Sequence, residues 1–382
     1  MKKKVVVLGA TGSIGQSTLQ VIEKFSSQFQ ILAITAHCQG DQLIELAEKY
    51  SVPEIILTDE QRGREFKHKI PPALKFSYGQ SAVLEVVQRK EVNIVVNGIV
   101  GSAGYFPTKH SLLAGKRVAL ANKETMVAYG EIINEIIEKG SGEIIPVDSE
   151  HGAIWQLLRN RNPQEVENLI LTASGGALRD HPHPHGASLE EVLKHPTWNM
   201  GKKITVDSAT LANKGLEVIE ASRLFKISWK KIKVLIHPTS IVHSMVELVD
   251  GSILAQLAEP DMKLPIQYSL SYPQRLPGTI PLLDLVSRGP LEFRHPDHKR
   301  FPALKLAYRA LEQGGSYPCV YNAANEQAVE MFIQGKIGFM DISAIIEKTM
   351  DNHENGSGKD ELFLQSADKW ARNLAKEIAR SR

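Results

Sequence analysis

The segment Gly9-Ala10-Thr11-Gly12-Ser13-Ile14-Gly15 follows the apolar run Val5-Val6-Val7-Leu8 and leads into a helical pattern over Ile14–Phe25. A strand, a glycine-rich turn and a helix in that order narrow the choice of fold sharply. The glycines let the backbone approach a pyrophosphate, and the helix start offers free N–H groups and a positive dipole end. An ordinary strand–helix turn would share the glycines, but this G-x-x-G-x-x-G spacing is a variant of the dinucleotide turn. The runs Gln30–Thr35, Glu54–Leu57, Val92–Val96, Arg117–Leu120 and Glu143–Val147 also read as strands, with helical patterns at Asp41–Tyr50 and Gly130–Lys139. Near-continuous apolar strands alternating with helices predict an α/β, Rossmann-like, doubly wound parallel sheet over residues 1–147. The second strand ends in Ala36-His37-Cys38-Gln39. It has no carboxylate for a ribose 2′-hydroxyl, which weakens an NAD reading, and no Arg or Lys for a 2′-phosphate.

The remaining chain changes texture. Residues 148–272 carry short strands at Leu169–Thr172, Lys233–His237 and Ser252–Ala255 among Gly- and Pro-containing turns, which predicts an α+β domain. Residues 273–302 are proline-rich without sustained periodicity and read as a linker. Residues 303–382 predict a small helical bundle with helices at Ala303–Gln313, Asn322–Gln334, Asp341–Met350 and Asp360–Arg380. Forty-five basic against 43 acidic residues argue against a nucleic-acid binder. Two cysteines, Cys38 and Cys319, cannot build a disulfide framework and suit a reducing compartment. The apolar run after Met1-Lys2-Lys3-Lys4 is too short for a signal peptide. No segment approaches the ~18–20 apolar residues of a membrane span, so a cytoplasmic location is expected.

Several segments carry chemistry. Asp148-Ser149-Glu150 follows a strand; if extended, Asp148 and Glu150 aim at one point and need a cation between them. Hard oxygen ligands suit Mg²⁺ or Mn²⁺. Alone, the same triplet also reads as a solvated acidic turn. Asp207–Glu217, read as one helix capped by Ser208, places Asn213 and Lys214 beside Glu217 on one face. It also reads as a surface helix with one ion pair. Ser174-Gly175-Gly176 can wrap an anion or simply turn. His195-Pro196-Thr197-Trp198-Asn199-Met200-Gly201 has the parts of a lid, or of a turn beside a core tryptophan. Lys123 follows the strand Arg117–Leu120, where a functional lysine and a helix-start ion pair are both open. His181-Pro182-His183-Pro184-His185 reads as a surface loop without assigned function.

Taken together, Gly9–Gly15, NGIVGSAGY (97–105), LANKE (120–124), VDSEHG (147–152), Ser174–Gly176, His195–Gly201, VDSATLANKGLE (206–217), HPTSIVHS (237–244), Phe301–Ala307 and Tyr321–Glu326 resemble the 1-deoxy-D-xylulose 5-phosphate reductoisomerase family. The likeness runs in order along nearly the whole chain. It implies isomerisation and reduction of 1-deoxy-D-xylulose 5-phosphate to 2-C-methyl-D-erythritol 4-phosphate with NADPH and Mg²⁺, Mn²⁺ or Co²⁺. It further implies Asp148, Glu150 and Glu217 as metal ligands. Ser174, Ser208, Asn213 and His195 would hold phosphate, and Lys123, Ser149, Asn213 and Lys214 would touch substrate oxygens. Trp198 and Met200 would lie in a closing loop, 191–201. Thr11, Gly12, Ser13, Ile14, Asn122, Glu124 and Gly201 would line the NADPH site. Lys123, Glu150, Lys214 and a metal-bound water stay open as proton donor and acceptor, with His195 also counted among the catalytic residues. A homodimer without nucleic-acid or membrane partners is implied. The chain departs from the family's frequent Gly-Lys-Asn after the second strand, having His37-Cys38-Gln39. That departure predicts a smaller preference for NADPH over NADH. A semialdehyde-type dehydrogenase would need a cysteine nucleophile in the middle of the chain, where there is none. A non-catalytic sensor of NADP(H) and sugar phosphate would have no use for the carboxylates.

Overall fold

A computed structural model describes residues 1–140, 142–198 and 200–381. The first part of the chain runs β1 (Lys3–Leu8), α1 (Ser13–Lys24), β2 (Phe29–Ala36), α2 (Gly40–Lys49), β3 (Glu54–Leu57), α3 (Glu60–Phe66), β4 (Lys75–Tyr78), α4 (Gln80–Gln88), β5 (Ile94–Asn97), α5 (Tyr105–Leu113), β6 (Arg117–Leu120), α6 (Lys123–Lys139), β7 (Glu143–Pro146) and α7 (Ser149–Leu158). The second part runs β8 (Val166–Ala173), α8 (Leu189–Val192), α9 (Lys202–Ala209), α10 (Ala212–Leu224), β9 (Ile232–Ile236), β10 (Val242–Leu248), β11 (Ile253–Leu257), α11 (Lys263–Ser271), α12 (Leu285–Arg288), α13 (Ala303–Gln313), α14 (Tyr317–Ile333), α15 (Phe339–Asp351) and α16 (Glu361–Arg380). The chain divides into two compact units. One comprises Met1–Thr125, Glu135–Gly152 and Asp261–Pro281; the other comprises Met126–Asn134, Ala153–Pro260 and Leu282–Arg382.

In the first unit the described residues form a seven-stranded parallel sheet, ordered β4-β3-β2-β1-β5-β6-β7. Alternate residues of β1 enter opposite cores. Val5 and Val7 pack with Ile34 and Leu19, while Val6 and Leu8 pack with Val83 and Val95. Burial on both faces explains why the strand is apolar throughout. Each such side chain contributes about 1.5–3 kcal/mol of transfer free energy. Ile266 and Leu270 of α11, far along the sequence, complete the core that holds Leu19 and Ile22 of α1.

In the second unit a four-stranded mixed sheet runs β11-β10-β8-β9, with only β8 and β9 parallel. Leu169 and Leu171 of β8 face a large core shared with α10, α13, α14 and α15, while Ile170 packs with Val242, Met245 and Leu291 on the other side. Leu364, Ala367, Ala371 and Ala375, at helical spacing, form the buried stripe of α16.

Several local expectations are corrected. Asp148-Ser149-Glu150 is not extended: α7 begins at Ser149, and the Gly152 N–H donates to the Asp148 carbonyl at 2.8 Å. Asp148 and Glu150 therefore do not share a strand face. Ser208 does not cap the helix carrying Glu217. It lies in the last turn of α9, and a break at Leu211, with φ of +60°, separates α9 from α10. Strands β4 and β10 and helices α3, α4, α5, α8 and α11 form outside the segments named from the sequence. The edge strand β4, KFSY, is only partly buried, and β10, VHSMVEL, buries His243 and Ser244, so neither shows a clean apolar pattern. The linker contains α12, and Arg294 exchanges backbone hydrogen bonds with Ile236 of β9. Among the described residues no helix is long and apolar enough to cross a membrane.

Candidate active site

Order reverses in the first sheet at β1, whose neighbours are β2 and β5. Ligands of such sheets bind beyond the strand C-termini at this switch point. The glycine turn stands there. Gly9 has φ of +76°, and a Cβ on it would lie 2.8 Å from the Gly98 carbonyl after β5. A Cβ on Gly15 would lie 2.4 Å from both Ala10 Cα and the Gly9 carbonyl. This close packing holds the start of α1 against the turn, and the unpaired N–H groups of a helix N-terminus suit an anion such as a pyrophosphate. The cradle fits a dinucleotide. Thr11 Oγ1 donates to Gln39 Oε1 at 2.6 Å, closing the turn toward the end of β2. His37 is exposed, with Nδ1 2.9 Å from Thr58 Oγ1 and Nε2 3.9 Å from Asp59 Oδ2.

Asn122 fixes the end of β6. Its side chain accepts from Thr125 N at 3.0 Å, capping α6, and Nδ2 donates to the carbonyls of Ile99 and Gly101 and to Glu124 Oε2. A Cβ on Gly104 would sit 2.5 Å from the Asn122 side chain, so that loop must carry glycine. Lys123 and Asp148 lie just past the ends of the paired strands β6 and β7, and Lys123 Nζ is 2.7 Å from Asp148 Oδ2. The two side chains are 6% and 11% exposed. His151, fully buried in the first turn of α7, places Nδ1 3.5 Å from Asp148 Oδ1. Sequence reasoning gave His151 no part; its i,i+3 spacing from Asp148 was the available signal. Ser149 Oγ donates to Glu150 Oε2.

In the second unit Asn213, Lys214 and Glu217 meet on α10 as their spacing predicts. Asn213 Nδ2 donates to Glu217 Oε1, and Lys214 Nζ to Glu217 Oε2. Lys214 and Glu217 are 3% and 1% exposed, which excludes the reading of a surface ion pair. Both Asp148 and Glu217 are thus carboxylates already matched to an ammonium in a sheltered place. Such oxygen donors fit a hard divalent cation.

Ser174 follows β8, where Gly175 and Gly176 have φ of +85° and +70°. A Cβ on Gly176 would lie 2.6 Å from the Ser208 carbonyl, so the Ser-Gly-Gly turn is pressed against the end of α9. Ser174 Oγ is 2.9 Å from His195 Nε2. His195 Nδ1 accepts from the N–H groups of Thr197 and Trp198, at 3.1 and 2.9 Å. That bonding leaves the ring proton on Nε2, which donates to Ser174. Burial, helped by the Arg179 charge, pushes the His195 pKa down to about 4. His195 is therefore a neutral donor near pH 7 rather than a proton carrier. Trp198 lies against His243, ring centroids 6.4 Å apart, and Gly201 caps α9. Met200 is partly buried, and Asn199 of the loop 191–201 lies outside the described residues.

Comparisons with known proteins agree along the whole chain. The family model for 1-deoxy-D-xylulose 5-phosphate reductoisomerase matches residues 5–130, and that for the C-terminal domain of the same enzyme matches residues 144–225. A third model, the DXP reductoisomerase C-terminal domain, matches residues 257–374. The chain is 45% identical over 381 residues to the 1-deoxy-D-xylulose 5-phosphate reductoisomerase of Halothermothrix orenii, covering 99% of each. It is 44% identical over 382 residues to that of Pelotomaculum thermopropionicum, again covering 99% of each. A crystal structure of DOX-P reductoisomerase with NADPH, fosmidomycin and magnesium superposes with a TM-score of 0.93 at 37% identity, covering 99% of this chain and 98% of that one. The Zymomonas mobilis enzyme in complex with NADPH gives 0.92 at 38% identity, covering all of both chains. With family models along its length and 45% identity to a full-length relative, this chain belongs to the 1-deoxy-D-xylulose 5-phosphate reductoisomerase family.

Proposed function

We propose that this chain converts 1-deoxy-D-xylulose 5-phosphate to 2-C-methyl-D-erythritol 4-phosphate, using NADPH and a divalent cation, in the non-mevalonate route to isoprenoid precursors. The observation that carries this reading is the 45% identity to a full-length family member over 381 residues, from the glycine turn to α16. When bound, Mg²⁺, Mn²⁺ or Co²⁺ supplies Lewis acidity to the substrate oxygens, and NADPH supplies hydride. Asp148, Glu150 and Glu217 hold the metal. Lys123, Ser149 and Lys214 contact substrate oxygens, and the buried lysines balance the carboxylates that would otherwise repel a charged intermediate. Ser174, Ser208, Asn213 and His195 bind the phosphate. A neutral His195, donating from Nε2, suits anchoring better than proton transfer. That leaves Lys123, Glu150 and Lys214 as the side chains for proton transfer. The loop 191–201, with Trp198 and Met200, excludes water. Thr11, Gly12, Ser13, Ile14, Asn122, Glu124 and Gly201 bind NADPH. Functionally the chain then parts into 1–147 for cofactor, 148–272 for metal and substrate, linker 273–302, and helical 303–382. Purified protein should oxidise NADPH only when both 1-deoxy-D-xylulose 5-phosphate and a divalent metal are present. Folded, NADPH-binding protein that oxidises none with Mg²⁺, Mn²⁺ or Co²⁺ would leave the sensor reading.

The ends of β2 and β3 bear on cofactor choice. His37, Thr58 and Asp59 meet there, the imidazole lying 2.9 Å from the Thr58 hydroxyl and 3.9 Å from the Asp59 carboxylate, and Cys38 is exposed. NADPH is therefore preferred over NADH by a modest margin. Cys38→Lys should widen that preference about tenfold, the worth of one charge-assisted hydrogen bond. Comparing kcat/KM for the two cofactors checks it; equal values in the native chain would defeat the idea.

The family's homodimer is also proposed here. Leu282, Leu285 and Val286 are 95%, 55% and 91% exposed, and Ile253 on the edge strand β11 is 53% exposed. An open sheet edge and exposed apolar side chains each suit a second copy of this chain. A monomer mass in sedimentation would remove that part of the proposal. We place the enzyme in the cytoplasm.

A further inference from the structure

The Tyr321–Glu326 segment matches the family, yet no role above uses it. It lies within α14, which buries Tyr321, Asn322 and Asn325 completely. Asparagine is a poor interior helix residue, and a buried amide is retained where it makes hydrogen bonds. Asn325 Nδ2 donates at 2.9 Å to Oδ1 of Asp207 on α9, which is itself fully buried and lies 2.9 Å from Lys203 Nζ through Oδ2. One turn earlier, the Tyr321 hydroxyl donates to the Ala303 carbonyl at 3.2 Å. That hydroxyl also meets α10: a Cβ on Gly215 would lie 2.6 Å from it. Asp207 precedes Ser208, and Gly215 follows Lys214. A single helix face thus grips both sides of the break at Leu211.

We infer that Asn325, with Tyr321, is a positioning residue that sets the angle between α9 and α10. It thereby places Ser208 of α9 relative to Asn213 and Lys214 of α10. Neither residue touches substrate; they act through Asp207 and Gly215. The inference rests on the reading that these segments bind the sugar phosphate.

Asn325→Ala removes the grip on α9, and Asn325→Asp keeps its shape while losing the donor. In both, KM for 1-deoxy-D-xylulose 5-phosphate should rise about tenfold, since a displacement near 1 Å costs up to about 10²-fold in such sites. The Kd for NADPH, read by fluorescence without turnover, should stay within about twofold of native. A merely structural loss would lower the folded fraction, reducing kcat while leaving KM and the NADPH Kd unchanged. An unchanged KM in the folded Asn325 variants overturns the inference. Should both fail to fold, Tyr321→Phe tests the same helix face with one hydroxyl removed; KM should rise about threefold, and an unchanged KM overturns it equally. Ser208→Ala tests the underlying reading separately. If its KM is native, the phosphate assignment fails; if its KM rises while the Asn325 variants stay native, only the positioning role fails.

Discussion

The Glu217→Gln protein is expected to bind NADPH like the native chain but to oxidise it at least about 10³-fold more slowly. Glutamine keeps the volume of the side chain and can still meet Asn213. It loses the negative charge, in a place that is 1% exposed and already pressed against Lys214. Two deficits follow. On the proposed assignment the divalent cation would lose one of three carboxylates, and Lewis-acid stabilisation of a developing charge is worth several kcal/mol. Lys214 also loses its ionic partner where water cannot replace it, so its charged form becomes costly. At about 1.4 kcal/mol per tenfold, several kcal/mol gives the stated loss. NADPH binding is expected to persist because the glycine turn lies in the other compact unit. Turnover within tenfold of native would mean that Glu217 is no metal ligand.

On the cofactor side the largest effect is expected from Gly15→Ala. The added methyl would lie 2.4 Å from Ala10 Cα and from the Gly9 carbonyl, backbone atoms that cannot swing aside. Either the start of α1 moves away from β1 or the turn reshapes. The first unit should lose about 1–3 kcal/mol of stability, the usual cost of overpacking. NADPH affinity should fall at least about tenfold as the N–H groups leave their alignment. Gly12→Ala is the control, because its nearest neighbour would be the Gly9 carbonyl at 3.4 Å, an ordinary contact. It should fold with native stability and report only obstruction of the pyrophosphate. Native NADPH affinity in Gly15→Ala would show that the turn does not hold the cofactor.

These contacts show why some of the molecule was legible in sequence and some was not. The strands β1, β2, β3 and β6 declared themselves because burial on both faces leaves three or more consecutive apolar residues in each: Val5–Leu8, Ile31–Ile34, Ile55–Leu57 and Val118–Leu120. β10 stayed hidden because His243 and Ser244 interrupt its apolar run although the fold buries both. Asn213, Lys214 and Glu217 were readable as a group because helical geometry alone brings them together. Lys123 with Asp148, and Ser174 with His195, meet only through tertiary structure, and so rested on resemblance to a family. The break at Leu211 had no cue at all. A left-handed backbone favours glycine or asparagine, and leucine there is held by the packing of α9 and α10 against α14.

The first compact unit is assembled from three separated stretches, and its last piece, α11, supplies Ile266 and Leu270 to the core around α1. Ribosomes add about 5–20 residues per second. The nascent cofactor-binding unit therefore waits many seconds, with part of the α1 core uncovered, until synthesis has passed residue 271 and α11 has cleared the exit tunnel. A gene fragment ending at residue 147 would make that gap permanent, and its product would be prone to aggregate rather than serve as a free-standing nucleotide-binding module.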